Sequence, residues 1–217
     1  MSHVNTHADV NRAREAICEI GRSLFERGYT HGSTGNISVR HGDGYLMTPT
    51  GASLGRLDPA RLSWLDERGR HIEGDKPTKE SFLHTAVYER RAADGAVIHL
   101  HATHSTAVSI LADVDPDDVL PPLTAYYVMR VGKLPLIPYF APGDIALAEA
   151  VRERAGSHRA VLLANHGPVV AGTDLAAACD AIEELEATSR LYLLLRGAPL
   201  RLLDDSQVRV LRQRFGA

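Results

Sequence analysis

Cysteine is nearly absent from the chain. Cys18 and Cys179 are the whole complement, each set in an apolar helical pattern, which favours buried reduced thiols over a disulfide scaffold or a cysteine-built metal site. Lysine is almost as rare: of 24 basic residues only Lys76, Lys79 and Lys133 are lysine, and against 27 acidic residues the formal net charge is −3. That balance excludes a nucleic-acid surface covering a whole face and leaves room only for a local anion pocket. Long apolar runs are missing too. Stretches such as Ala160 to Ala164 and Leu191 to Leu195 fall far short of the roughly 20 residues that cross a bilayer, and the first 15 residues lack a signal-peptide core. A soluble, cytoplasmic protein is expected. What the chain does have is histidine, with 11 copies in 217 residues.

Apolar residues recurring at three and four positions predict a helix from Asp9, as N-cap, to about Arg27, stopped by Gly28. The Gly-rich stretch 29–51 predicts a hairpin, Ile37–Arg40 with Tyr45–Thr48, around the turn His41-Gly42-Asp43-Gly44. Leu62–Asp66 and His71-Ile72 read as a second strand pair. Pro77 introduces a helix over about 78–91, with Phe82, Ala86 and Val87 facing inward. It is followed directly by a strand Ala96–His101 and a helix Ser105–Leu111. A short helix through Tyr126-Tyr127, a strand near 134–137 and a helix over 143–154 follow. Strands at 160–164 and 168–171, a long helix 174–196 and a closing helix 205–214 complete the pattern. No repeat or linker divides the chain, so residues 1–217 are expected to form one α/β domain around a mixed central sheet.

In a strand, side chains at i and i+2 leave the same face, so His99 and His101 point to one spot. One strand histidine is more often a hydrogen-bonded core residue; two on one face of an apolar strand suit a metal that takes nitrogen ligands. His3, His7, His41, His71 and His158 sit at the terminus, in turns or among charged residues and read as solvated. His31 and His104 are weaker candidates. His166, where a buried strand ends before Gly167, is the best third ligand. Glu80, at the start of the helix that feeds the His-x-His strand, is the carboxylate candidate. It could equally complement the helix macrodipole, or hydrogen-bond to His84 one turn on. Thr34-Gly35-Asn36, Thr50-Gly51 and Thr78-Lys79 combine amides, hydroxyls and a charge, the last at a helix N-terminus. Together they suggest a phosphorylated small molecule.

The blocks Gly32-Ser33-Thr34-Gly35-Asn36-Ile37-Ser38, Thr48-Pro49-Thr50-Gly51, Pro77-Thr78-Lys79-Glu80, His99 to Ser105 and Asn165-His166-Gly167 resemble, in order and spacing, the signatures of the class II aldolase/adducin family. The resemblance implies a three-layer α/β/α fold. It also implies Zn²⁺, or another divalent metal, held by His99, His101 and His166, with Glu80 as proton carrier and resting ligand. Asn36, Thr50, Gly51 and Thr78 would cradle a substrate phosphate, commonly in a homotetramer with sites between subunits. Lys79 in place of a second small hydroxyl before the glutamate is similar to the 3-oxo-tetronate 4-phosphate decarboxylase subgroup, and Lys79 could hold a substrate carboxylate, a phosphate or a salt bridge. Sugar-phosphate aldolases and ribulose-phosphate 4-epimerases are the alternatives, and a non-catalytic adducin-like interaction module a more distant one. The tail lacks the tyrosine that aldolases often bring to the site; Tyr126 or Tyr127 could replace it. A low-dielectric pocket is expected to raise the Glu80 pKa enough for it to hold a proton.

Overall fold

The computed structural model describes residues 3–141 and 143–215 and builds them around one eight-stranded sheet. The opening helix α1 (His3–Glu26) starts before Asp9, which lies inside it and pairs with Arg12 instead of capping it. The side chains of His3 and His7 lie outside the described part. Gly28, at φ 78°, ends the helix in the left-handed conformation that glycine adopts freely.

β1 (Asn36–His41) and β2 (Gly44–Met47) form the expected hairpin, with His41 opposite Gly44 across the two-residue turn. β3 (Ser63–Asp66) and β4 (His71–Glu73) extend it on one side. On the other side β1 pairs antiparallel with β5 (Ala96–His99), which pairs with β8 (Gly167–Gly172), then β7 (Ala160–Leu163). β6 (Leu136–Ile137) closes the edge as the one parallel neighbour, so the sheet is mixed, in the order β4-β3-β2-β1-β5-β8-β7-β6.

Alternation along the strands separates two cores. Ile37, Leu46, Ile98, Leu162 and Val170 pack under α1 and the long helix α6 (Leu175–Leu194). Met47, Val97, Val161, Val169 and Ala171 pack under α2 (Ser81–Arg90) and α5 (Ala146–Ala155). Helices on both faces make the three layers. Each fully buried aliphatic side chain contributes roughly 1.5–3 kcal/mol to this arrangement. Short helices α3 (Thr103–Ser109) and α4 (Ala125–Arg130) and the closing α7 (Asp205–Phe215) complete the molecule.

Two of the boundaries that differ from the sequence expectation matter to the site. α2 begins at Ser81, not near Thr78. The segment before it is tied to the end of the hairpin by Thr50 N–H to Lys76 O (2.9 Å), Thr78 N–H to Thr48 O (3.2 Å) and a bridge between Pro49 and Pro77. Those backbone bonds keep Lys76 to Thr78 extended, where proline is tolerated at a strand edge. β5 ends at His99, so His101 lies just beyond the strand.

Candidate metal centre

Four side chains converge where β5 ends. Glu80, His99, His101 and His166 each offer a donor atom, all within 4.8 Å of one another. His166 Nε2 lies 3.0 Å from His101 Nε2, 3.3 Å from His99 Nε2 and 3.2 Å from Glu80 Oε1. Glu80 Oε2 stands 3.6 Å from His99 Nε2. Ligands about 2.0–2.1 Å from a tetrahedral ion are separated from each other by about 3.3 Å, so the residues present fit a divalent cation with an N₃O donor set.

Each ligand is placed by a different element. His99 ends β5, opposite Asn36 of β1 and Val169 of β8. Its Nδ1–H donates to Pro168 O at 2.9 Å, which leaves the Nε2 lone pair facing the cluster. His101 follows in the bend before α3, its ring centroid 5.0 Å from that of His99. His166 sits in the tight β7–β8 turn behind Asn165, the one non-glycine residue with positive φ (57°) among the described residues. Gly167 follows because a Cβ there would lie 2.2 Å from Leu100 O. Thr106 Oγ1–H donates to the His166 carbonyl at 3.0 Å, fastening α3 to that turn.

Glu80 occupies the N-cap position of α2 without capping it through its side chain. Oε2 accepts from Asn36 Nδ2 at 2.7 Å. Burial pushes the Glu80 carboxyl up, but the hydrogen bonds from His166 and Asn36 outweigh it and hold the carboxyl below the usual range. In this resting position the expected rise is absent: with these donors in place the group is a carboxylate, suited to ligation. Burial also lowers the basicity of His99 and pushes His101 down to about 4, which keeps both imidazoles neutral as metal binding requires.

His84 does not bond to Glu80. It lies in the α2 core, with Nε2 on Asn36 Oδ1 and Nδ1 on Ser38 Oγ. His104 turns away from the cluster onto Glu186, and His31 is exposed outside it. His41, His71 and His158 likewise stand apart from the cluster. Glu186, on α6, was not singled out by the sequence: buried, it accepts from His104 N, Ser105 N and Ser105 Oγ, each at 2.8 Å, and so holds the start of α3 beside His101. The sequence carried no clear signal for it, since Glu183 and Glu184 stand just before it in the same helix.

A cavity of about 560 Å³ opens over the cluster. Asn36, Thr50, Gly51, Thr78 and Lys79 all line it with Glu80, His101 and His166. Lys79 is exposed, makes no ion pair among the described residues, and is the one lysine or arginine among those lining the cavity. Neither Tyr126 nor Tyr127 lines it. Tyr127 is buried in the core with an unpartnered hydroxyl, and Tyr126 is exposed beside Arg130; the tyrosine at the cavity is Tyr139, with Phe140.

A mixed α/β/α sheet with a three-histidine, one-carboxylate cluster at a strand end defines a metal-binding α/β protein with a small-molecule pocket. The chain belongs to the family of the class II aldolase and adducin N-terminal domain, whose model matches residues 15–193. It is 49% identical over 202 residues to the 3-oxo-tetronate 4-phosphate decarboxylase of Haemophilus influenzae, covering 93% of this chain and 96% of that one. To the L-fuculose phosphate aldolase of Escherichia coli it is 32% identical, covering 94% of each. The crystal structure of YgbL from Escherichia coli superposes with a TM-score of 0.92 at 44% identity, covering 94% of this chain and 99% of that one.

Proposed function

We propose that the protein is a metal-dependent carbon–carbon lyase that decarboxylates a 3-oxo-tetronate 4-phosphate to dihydroxyacetone phosphate and CO₂. The observation that carries this reading is Lys79 beside Glu80 at the cavity, a cation in a place suited to a second anionic group beyond the phosphate. The higher identity to the decarboxylase than to the aldolase supports it.

His99, His101 and His166 would hold the ion through Nε2, with Glu80 as the fourth, exchangeable ligand; zinc suits the donor set best. When bound, the ion supplies a Lewis acid for the ketone oxygen that becomes negative in the reaction. Asn36, Thr50, Gly51 and Thr78 would bind the phosphate, and Lys79 would orient the carboxylate so that the bond to be broken stands perpendicular to the ketone plane. The C1–C2 bond then breaks, CO₂ departs, and its electron pair enters the ketone to give an enediolate. Protonation at C2 completes the product. Glu80 would deliver that proton. When its Oε1 turns from His166 toward substrate, Oε2 staying on Asn36, the carboxyl loses one of the donors that hold it ionised, burial raises its pKa, and it takes up from solvent the proton that it passes to C2.

An aldolase would generate the same enediolate by releasing an aldehyde, so it is the second reading, favoured by the family itself. A homotetramer, a cytoplasmic location and the whole of 1–217 acting as one domain belong to the proposal; no helix among the described residues is long and apolar enough to cross a membrane. The test is CO₂ release from a panel of four-carbon 3-oxo acid phosphates, alongside condensation of dihydroxyacetone phosphate with aldehydes. Condensation without CO₂ release would replace the decarboxylase by the aldolase.

A further inference from the structure

Glu80, His84 and Tyr88 stand four residues apart from the start of α2 onward, and Asn36 and Ser38 two residues apart on β1. Four residues of helix advance about 6 Å and two of strand about 6.7 Å, so the two rows are nearly commensurate and interleave. A continuous chain of side-chain hydrogen bonds results. Glu80 Oε2 meets Asn36 Nδ2 at 2.7 Å, Asn36 Oδ1 meets His84 Nε2 at 2.5 Å, His84 Nδ1 meets Ser38 Oγ at 2.6 Å, and Ser38 Oγ meets Tyr88 Oη at 2.9 Å. His84 and Ser38 are fully buried, and Asn36 and Tyr88 nearly so, which shields the row from bulk water. Tyr88 is itself pinned, stacked on Tyr45 at 4.7 Å with Arg40 over both rings.

The chemistry of the groups gives this ladder one direction. A carboxylate only accepts, so Asn36 presents Nδ2–H to Glu80 and Oδ1 to His84. His84 must then donate from Nε2, and burial, which pushes its pKa down to about 3, leaves the ring that single proton. The bare Nδ1 accepts from Ser38, and Ser38 accepts from Tyr88. Reversing any one member would set two acceptors or two donors face to face in a dry interior.

We propose that His84 is a positioning residue for proton transfer: by locking the Asn36 amide it anchors Glu80 Oε2, and so assigns Oε1 as the oxygen that leaves His166 and carries the proton. The inference deepens the decarboxylase reading and rests on its proton carrier, Glu80. Anchoring one oxygen turns release of the other into a rotation about a fixed point, so the carboxyl returns to the same place after each turnover.

The test uses the full-length, zinc-loaded protein labelled with ¹⁵N-histidine at pH 7, where two-bond imidazole couplings report the tautomer. His84 is expected as a single Nε2–H tautomer in the native protein and as a mixture in Glu80→Gln, whose amide no longer imposes a direction. An Nδ1–H tautomer in the native protein, or an unchanged single tautomer in Glu80→Gln, would overturn the proposal; neither measurement needs a core substitution. In turnover, His84→Leu is expected to lower kcat about tenfold or more at unchanged KM and metal content. His84→Gln, which keeps a donor and an acceptor, should restore most of that loss. Equal losses in both variants, or a loss confined to KM or metal content, would also overturn it. If the native protein releases no CO₂ from any 3-oxo-tetronate 4-phosphate, the decarboxylase reading fails while the tautomer still decides the ladder.

Discussion

Glu80 faces His166 with one oxygen, at 3.2 Å, while its other oxygen is tied to Asn36 at 2.7 Å. The carboxylate is thus shared between the histidine cluster and the interior of the protein. Its two oxygens meet different surroundings, which is what a group that both ligates and moves a proton requires.

That division predicts opposite outcomes for two substitutions. His166→Ala should lose bound metal and activity together. Glu80→Gln should keep most of the metal and lose turnover by roughly 10²-fold or more, the usual scale of general acid–base catalysis. Metal content by elemental analysis, beside turnover on the same samples, decides both. Full occupancy in His166→Ala removes it from the ligand set, and near-normal turnover in Glu80→Gln reduces Glu80 to a helix-terminal residue.

Lys79 separates the two lyase chemistries. Lys79→Met should raise KM strongly and weaken inhibition by tetronate phosphates more than inhibition by dihydroxyacetone phosphate, which has a phosphate but no carboxylate. Lys79 must not hold the carboxylate so tightly that the ground state alone gains, since an attraction that vanishes as CO₂ departs raises the barrier. Inhibition constants for the two ligands settle the matter: equal weakening assigns Lys79 to the phosphate and removes the main structural support for decarboxylation.

The buried histidines make the metal-free protein acid-sensitive. His84, ordinarily near 6.5, is pushed down to about 3 by burial, so the unfolded chain binds a proton that the folded chain refuses. Its contribution to stability is complete above pH 6.5 and is lost progressively between about 6.5 and 3, at about 1.4 kcal/mol per pH unit. His101, pushed down to about 4, acts in the same sense. Denaturant unfolding of chelator-treated protein from pH 7 to 4 should show this slope, and His84→Gln should reduce it by one proton. An unchanged slope in that variant would mean that His84 is already protonated in the fold.

The sequence by itself determined what local periodicity encodes. His99 and His101 come together as their i and i+2 spacing implied, although His101 lies just past the strand; the apolar run ending at Ala164 placed His166 in a turn, and the hairpin turn 41–44 followed from its glycines. Cys18 and Cys179 are buried and free, as their apolar settings imply. What only the tertiary structure decided is where separate elements meet. The start of α2 shifted to Ser81 because backbone pairing with Thr48 and Thr50 competes with the helix. His84 bonds across to β1 instead of one turn back to Glu80, and the cavity takes Tyr139 instead of Tyr126 or Tyr127. Glu80 ended ionised because two donors from other elements outweigh its burial. Those outcomes depend on strand order and on the register between β1 and α2. Both are set by burial and hydrogen bonding between residues far apart in the chain, about which a short stretch of sequence carries no information.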